Sequence, residues 1–118
     1  MSAKSFPIDL DHLERQTLGD RALRREVLAL FVGQMTAAAG ELAGPSDATR
    51  AALAHRIKGS AGGVGARRVA AAAAVLEAAP ERPDLAAELQ GCIHEALAFI
   101  ATLDAGESGT AQLTSPAK

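Results

Sequence analysis

The chain has 118 residues, 28 of them alanine, and its only aromatic residues are Phe6, Phe31 and Phe99. That length suits a single domain, and so much Ala and Leu beside so few aromatic and β-branched residues excludes a β-sandwich or barrel in favour of an all-α fold. Twelve Lys and Arg against 14 Asp and Glu leave a net charge of −2, without the cationic excess of a nucleic-acid binder.

Pro7 introduces a short leader, Ile8-Asp9-Leu10-Asp11-His12-Leu13, of one or two helical turns. Gly19-Asp20 interrupts it, and Asp20 is a good N-cap because its carboxylate accepts from the free amides of the next turn. Leu23, Val27, Leu30, Phe31, Met35, Ala38 and Leu42 then recur at three- and four-residue steps, which predicts a helix with that set facing the core. Gly44-Pro45 ends it, and Ser46 caps the next, with Asp47 in its first turn. This third helix carries Leu53, His55, Ile57 and Lys58 and is expected to loosen among Gly59, Gly62, Gly63 and Gly65. Ala66 to Ala79 forms another, with Val69, Ala72, Ala73 and Leu76 inward and Pro80 as its stop. Pro83 suits a first helical position, and Leu85, Leu89, Cys92, Ile93, Leu97, Ile100 and Leu103 make an amphipathic stripe of about five turns. The lone Cys92 forms no internal disulfide and reads as a small buried hydrophobe.

After Asp104 the composition turns to Gly, Ser, Thr, Ala and Pro, so the domain is placed at 1–105 and a flexible tail at 106–118. Four long helices joined by short connections predict an antiparallel up-and-down four-helix bundle with a short N-terminal leader helix. No stretch approaches the roughly 20 apolar residues of a membrane span, and the N-terminus lacks a signal-peptide core. The expected location is the cytoplasm.

The stretch from Ala54 to Ala66 is the most informative. With His55 at zero on a helical wheel, Leu53, Ile57 and Val64 fall within about 20° of the opposite side, so the core lies there and His55 faces out. Around His55, Ala48, Ala51, Ala52, Gly59 and Gly62 all fall within about 60°, and the only long side chain among them is Lys58, at about −60°. Ser60 lies near 140°, where its hydroxyl is expected to bond locally to backbone as the helix ends. Taken singly, each feature has an ordinary explanation: an exposed His or Lys is commonly just solvated, an Ala face follows from an Ala-rich chain, and glycines close helices. Together they describe an imidazole on a bare surface suited to close approach by another macromolecule. Glycine within a helix costs about 1 kcal/mol relative to Ala, and the cost is met twice on this face. Imidazole is nucleophilic at physiological pH and can carry a phosphoryl group covalently, with the Lys58 ammonium placed to pair with the added charge.

Other constellations carry less. Lys58-Gly59-Ser60-Ala61-Gly62-Gly63-Val64-Gly65 has its lysine before its glycines and follows no predicted strand, the reverse of a phosphate-binding loop. His12, His55 and His94 fall on three different predicted helices without zinc-ligand spacing, so no metal site is assigned. Arg24-Arg25 and Arg67-Arg68 read as solvated basic pairs; the second lies near enough to His55 in sequence to be a candidate for touching an acidic partner.

His55-Arg56-Ile57-Lys58-Gly59-Ser60-Ala61 followed by Val64-Gly65-Ala66 resembles the signature of histidine-containing phosphotransfer (HPt) domains of multistep phosphorelays: His, any residue, aliphatic, Lys, Gly, Ser or Ala, small, two variable positions, aliphatic, Gly, small. The likeness extends to Val69 and the Leu76-Glu77 pair, to Ile8-Asp9-Leu10 and to the Gly19-Asp20 break, covering roughly residues 8 to 104. It implies a four-helix bundle with an exposed mid-helix phosphorylated histidine. His55 would be the phosphoryl carrier, Lys58 its charge partner and Gly59 the clearance for a receiver domain. The partners implied are response-regulator receiver domains and a hybrid histidine kinase. The receiver would supply the acceptor Asp and the Mg²⁺, with no cofactor bound by this chain and no ATP-dependent kinase activity of its own. Gly62-Gly63 is glycine-rich even for that family, so the helix is expected to end or bend early. A monomer is expected. Two rivals are a non-phosphorylated helical adaptor that binds and inhibits a kinase or receiver, and a kinase-type dimerisation domain, which needs an adjacent ATP-binding domain.

Overall fold

The computed structural model describes residues 7–44 and 46–114, with side chains as far as Leu103. These residues form five α-helices and no strand: α1 (Leu10–Gln16), α2 (Arg21–Glu41), α3 (Asp47–Val64), α4 (Arg67–Ala78) and α5 (Pro83–Thr114). The caps read from the sequence are in place. The Asp20 carboxylate accepts from the Leu23 amide at 3.0 Å, the Ser46 hydroxyl accepts from the Thr49 amide at 3.0 Å, and Pro83 opens α5. Asp9 does the same for α1, accepting from the His12 amide at 3.2 Å. Pro45, residues 1–6 and residues 115–118 lie outside the described residues.

α3 packs against α1, α2 and α4, while α5 packs against α4 and α2, and the α3–α4 pairing is the most extensive. Alanine explains its closeness. Ala54, Ala61 and Ala73 are fully buried, and a methyl group is the smallest side chain that still buries apolar surface. Leu53, Ile57 and Val64 of α3 are buried opposite His55, as the wheel requires. Ile8 and Leu13 bring the leader into the same core.

Three expectations are corrected. Leu23 and Leu30 do not face the core: Leu30 is 65% exposed, and Leu28 takes the inward place. With Phe31 at zero, Leu28, Met35, Ala38 and Leu42 fall within about 60°, whereas Leu23 and Leu30 lie about 80° and 100° to one side. Three- and four-residue steps trace both stripes, and only packing separates them. α3 does not loosen at its glycines but stays α-helical to Val64. Ser60, expected to bond to backbone as the helix ends, is still within α3 and lines a groove between α2 and α3. α5 keeps helical backbone to Thr114, beyond the composition boundary near Gly106, because no proline interrupts it before Pro116.

Both ends of the α3–α4 hairpin are pinned. At its turn, Gly65 adopts φ +81°. The Ala66 amide donates to the Ala61 carbonyl at 2.8 Å and the Gly65 amide to the Gly62 carbonyl at 3.3 Å, the paired bonds of a Schellman motif. The Asp9 amide then donates to the Gly65 carbonyl at 2.8 Å, and the Asp9 carboxylate pairs with Arg67 at 2.6 Å. At the other end, Arg50 donates to the carbonyls of Pro80 (2.8 Å) and Gly44 (2.6 Å) and to the Asp47 carboxylate (2.6 Å), tying the α2–α3 connection to the α4–α5 connection.

These contacts distinguish two glycines. A Cβ on Gly65 would stand 3.0 Å from the Asp9 carbonyl oxygen, whereas one on Gly91 meets nothing within 4 Å. Gly65→Ala is therefore expected to lower unfolding free energy by about 1–3 kcal/mol, and Gly91→Ala to raise it by about 0.5–1 kcal/mol, both read by denaturant titration. Equal effects of the same sign would show that the turn geometry is not required.

Candidate functional site

His55 lies mid-way along α3 with 67% of its side chain exposed. Along the same face Ala48, Ala52, Gly59 and Gly62 are exposed and Ala51 is half-buried, so the ring rises from a surface without other bulky groups except Lys58 one turn on. A Cβ added at Gly59 or Gly62 meets nothing within 4 Å, so neither glycine is demanded by contacts inside the protein.

The residue that completes the cluster is on the next helix. Glu77 of α4 places Oε2 2.9 Å from His55 Nδ1 and Oε1 2.9 Å from Lys58 Nζ. An ionised carboxylate only accepts hydrogen bonds, so Nδ1 carries the ring proton and donates it to Glu77. In the neutral ring this leaves the lone pair on Nε2, the nitrogen not held by Glu77. The two donors, Lys58 first and His55 second, hold the Glu77 carboxyl below the ordinary glutamate value of 4.5, against a smaller opposing effect of desolvation.

In the sequence Glu77 stands only as half of the Leu76-Glu77 pair, with no role attached. A usable signal was present: α4 reads RRVAAAAAVLEA, and Glu77 is its single acidic residue. Polar residues on such a helix are placed for a reason other than propensity.

On the α2 side of His55 lies a groove of about 310 Å³, lined by Gln34, Ala37, Glu41, Arg56 and Ser60 among others. Arg56 reaches across it to within 4.0 Å of Glu41. Arg67 and Arg68, read as solvated, are engaged: Arg67 with Asp9 at 2.6 Å, and Arg68 with Glu95 of α5 at 3.0 Å. His12, His55 and His94 are on α1, α3 and α5. Among the described residues no three His, Cys, Asp or Glu side chains gather as a metal-binding group, and no helix is long and apolar enough to cross a membrane.

Of the exposed imidazoles, His55 is the one whose ring is held by a carboxylate from the adjacent helix, which makes the chain an all-helical module presenting an oriented histidine. The family model described as Hpt domain matches residues 26–102. The chain belongs to the Hpt domain family, with its histidine phosphotransfer role in phosphorelays, and Hpt domains interact with receiver domains and histidine kinases. The matched stretch contains His55, Lys58 and Glu77 and leaves α1 outside. Neither a curated protein nor a solved structure matches the chain.

The lowered Glu77 pKa sets a pH direction. A folded-state pKa below the unfolded one contributes stability that is complete above about 4.5 and is lost as pH falls through the lower, folded titration point. Carboxyl-carbon NMR should give a Glu77 midpoint below 4.5. Lys58→Ala should raise that midpoint more than His55→Gln does, because the ammonium is the larger cause. A wild-type midpoint at or above 4.5 would remove the bridge from the solution structure.

Proposed function

We propose that this protein is a phosphorelay carrier in which His55 accepts a phosphoryl group from a receiver-domain aspartyl phosphate and passes it to another receiver domain. The observation that carries this reading is the Glu77 carboxylate on Nδ1, 2.9 Å away. In the neutral ring it leaves Nε2, the nitrogen not held by Glu77, with the free lone pair. In the accepting step the Nε2 lone pair forms the N–P bond, and the P–O bond to the receiver aspartate breaks with its electrons returning to that carboxylate. The ring, still protonated at Nδ1, becomes cationic, and Glu77 already lies against that charge. Lys58 Nζ, with 41% of its side chain exposed, pairs with the phosphoryl oxygens. The delivering step is the reverse.

The receiver brings the acceptor aspartate and the Mg²⁺, and this chain brings the nucleophile, its tautomer and one cation. Ala48, Ala51, Ala52, Gly59 and Gly62 form the apron on which the receiver rests, their small size letting its active site reach Nε2. The phosphoryl source is an aspartyl phosphate rather than ATP, and a hybrid histidine kinase supplies the first receiver. α2 on α3, α3 on α4, α4 on α5 and α5 on α2 close a ring of neighbours, which supports an antiparallel up-and-down bundle. The cluster is built entirely within one chain, which supports a working monomer, in the cytoplasm beside its receivers.

Incubation with phosphorylated receivers is expected to label wild-type protein with acid-labile phosphate and to leave His55→Gln unlabelled. Lys58→Ala should slow transfer by about tenfold while leaving the melting temperature close to wild type. Label on His55→Gln would end the assignment, and a collapse of melting temperature in Lys58→Ala would make the lysine structural.

Gly62→Gln tests the apron. The substitution should stabilise the helix by about 0.5 kcal/mol yet slow receiver-dependent transfer. Unchanged transfer would show that the partner approaches from elsewhere.

A further inference from the structure

We infer that His55 also takes a phosphoryl group directly from small phosphoramidate-class donors, without a receiver domain. The inference rests on the reading of His55 as a phosphoryl nucleophile and extends that site to a second substrate class. Three of the groups such a reaction needs are already in this chain. Nε2 belongs to a side chain that is 67% exposed to solvent. In the neutral ring the Nδ1–H donated to Glu77 at 2.9 Å leaves the lone pair on Nε2. Lys58, one turn along, offers a cation for phosphoryl oxygens, its Nζ 2.9 Å from the other Glu77 oxygen. A small donor needs no docking surface, and beside the ring even a Cβ at Gly59 or Gly62 would meet open space.

The donor class follows from the leaving group. In zwitterionic phosphoramidate the group bonded to phosphorus is an ammonium, so it departs as neutral ammonia and develops no negative charge needing a metal ion for stabilisation. Nε2 forms the new N–P bond, and the donor P–N bond breaks with its electron pair going to the leaving nitrogen. The positive charge lost from the donor reappears on the phosphorylated imidazolium. Glu77 is placed to stabilise that developing charge, and preorganised charge of this kind acts on the transition state directly.

The chain contains its own reference. His94 on α5 is exposed to solvent, but no carboxylate or ammonium is paired with its ring among the described residues. Generic imidazole reactivity would label the two alike, whereas the Glu77–Lys58 setting predicts selectivity for His55.

The test uses the full chain, potassium phosphoramidate and EDTA at neutral pH, with phosphorylation at His12, His55 and His94 followed by peptide mass spectrometry under alkaline conditions. His55 is expected to charge at least about tenfold faster than His94. Glu77→Gln, which keeps an acceptor for Nδ1–H but removes the charge, should erase most of that difference, and Lys58→Met part of it. Thermal melts identify any variant that fails to fold, and Lys58→Met then carries the comparison. Equal rates at His55 and His94, or a rate at His55 unmoved by either substitution, overturn the inference. A parallel arm with receiver domains separates the two claims. Receiver exchange without selective phosphoramidate charging sinks this inference and keeps the carrier reading. Selective charging without receiver exchange does the reverse.

Discussion

One carboxylate from α4 reaches two donors on α3, and the site depends on that contact. Glu77 accepts from the His55 ring with one oxygen and from the Lys58 ammonium with the other. Because acceptor and donors sit on different helices, the contact forms only at one register of the hairpin. A shift of one residue along α4 would turn the Glu77 side chain by about 100° and leave the ring free to adopt either tautomer. The histidine alone is a surface residue; the register fixes which ring nitrogen carries the proton in its neutral form.

Much of the remaining structure holds that register. The buried alanines Ala54, Ala61 and Ala73 let α3 and α4 come close. Gly65 closes the turn in a backbone region that costs a side-chain-bearing residue about 1–2 kcal/mol, and its carbonyl receives the Asp9 amide, so the leader helix braces the turn from outside. At the opposite end Arg50 spans two connections with three hydrogen bonds. Arg67 and Arg68 join α4 to the leader and to α5. Charged groups that look like surface ornament in the sequence thus act as ties between helices.

Local rules were enough to read the helices, their caps and the outward direction of His55, because each depends on residues within a turn or two. Asp20 and Ser46 announce helix starts by chemistry that operates over three residues. Glu77 was not legible in its role, since its partners are 22 and 19 positions earlier in the chain and its relation to them is a property of packing. The side stripe of Leu23 and Leu30 was misplaced for a similar reason: periodicity names two faces of α2, and only the neighbouring helices choose between them. The glycines of α3 misled in the opposite sense. Their intrinsic preference argues for a break, but the buried run of Ile57, Ala61 and Val64 stabilises the helix through them.

The turn between α3 and α4 is only two residues, Gly65 and Ala66. The site is therefore assembled from a contiguous hairpin rather than from distant parts of the chain. Loop-closure entropy grows with the logarithm of the separation, about 0.6 kcal/mol for each doubling, and proteins rich in local contacts fold fastest. His55, Lys58 and Glu77 accordingly meet within one helical hairpin, at short sequence separation. A centre built this way needs less loop-closure entropy than one drawn from distant parts of the chain.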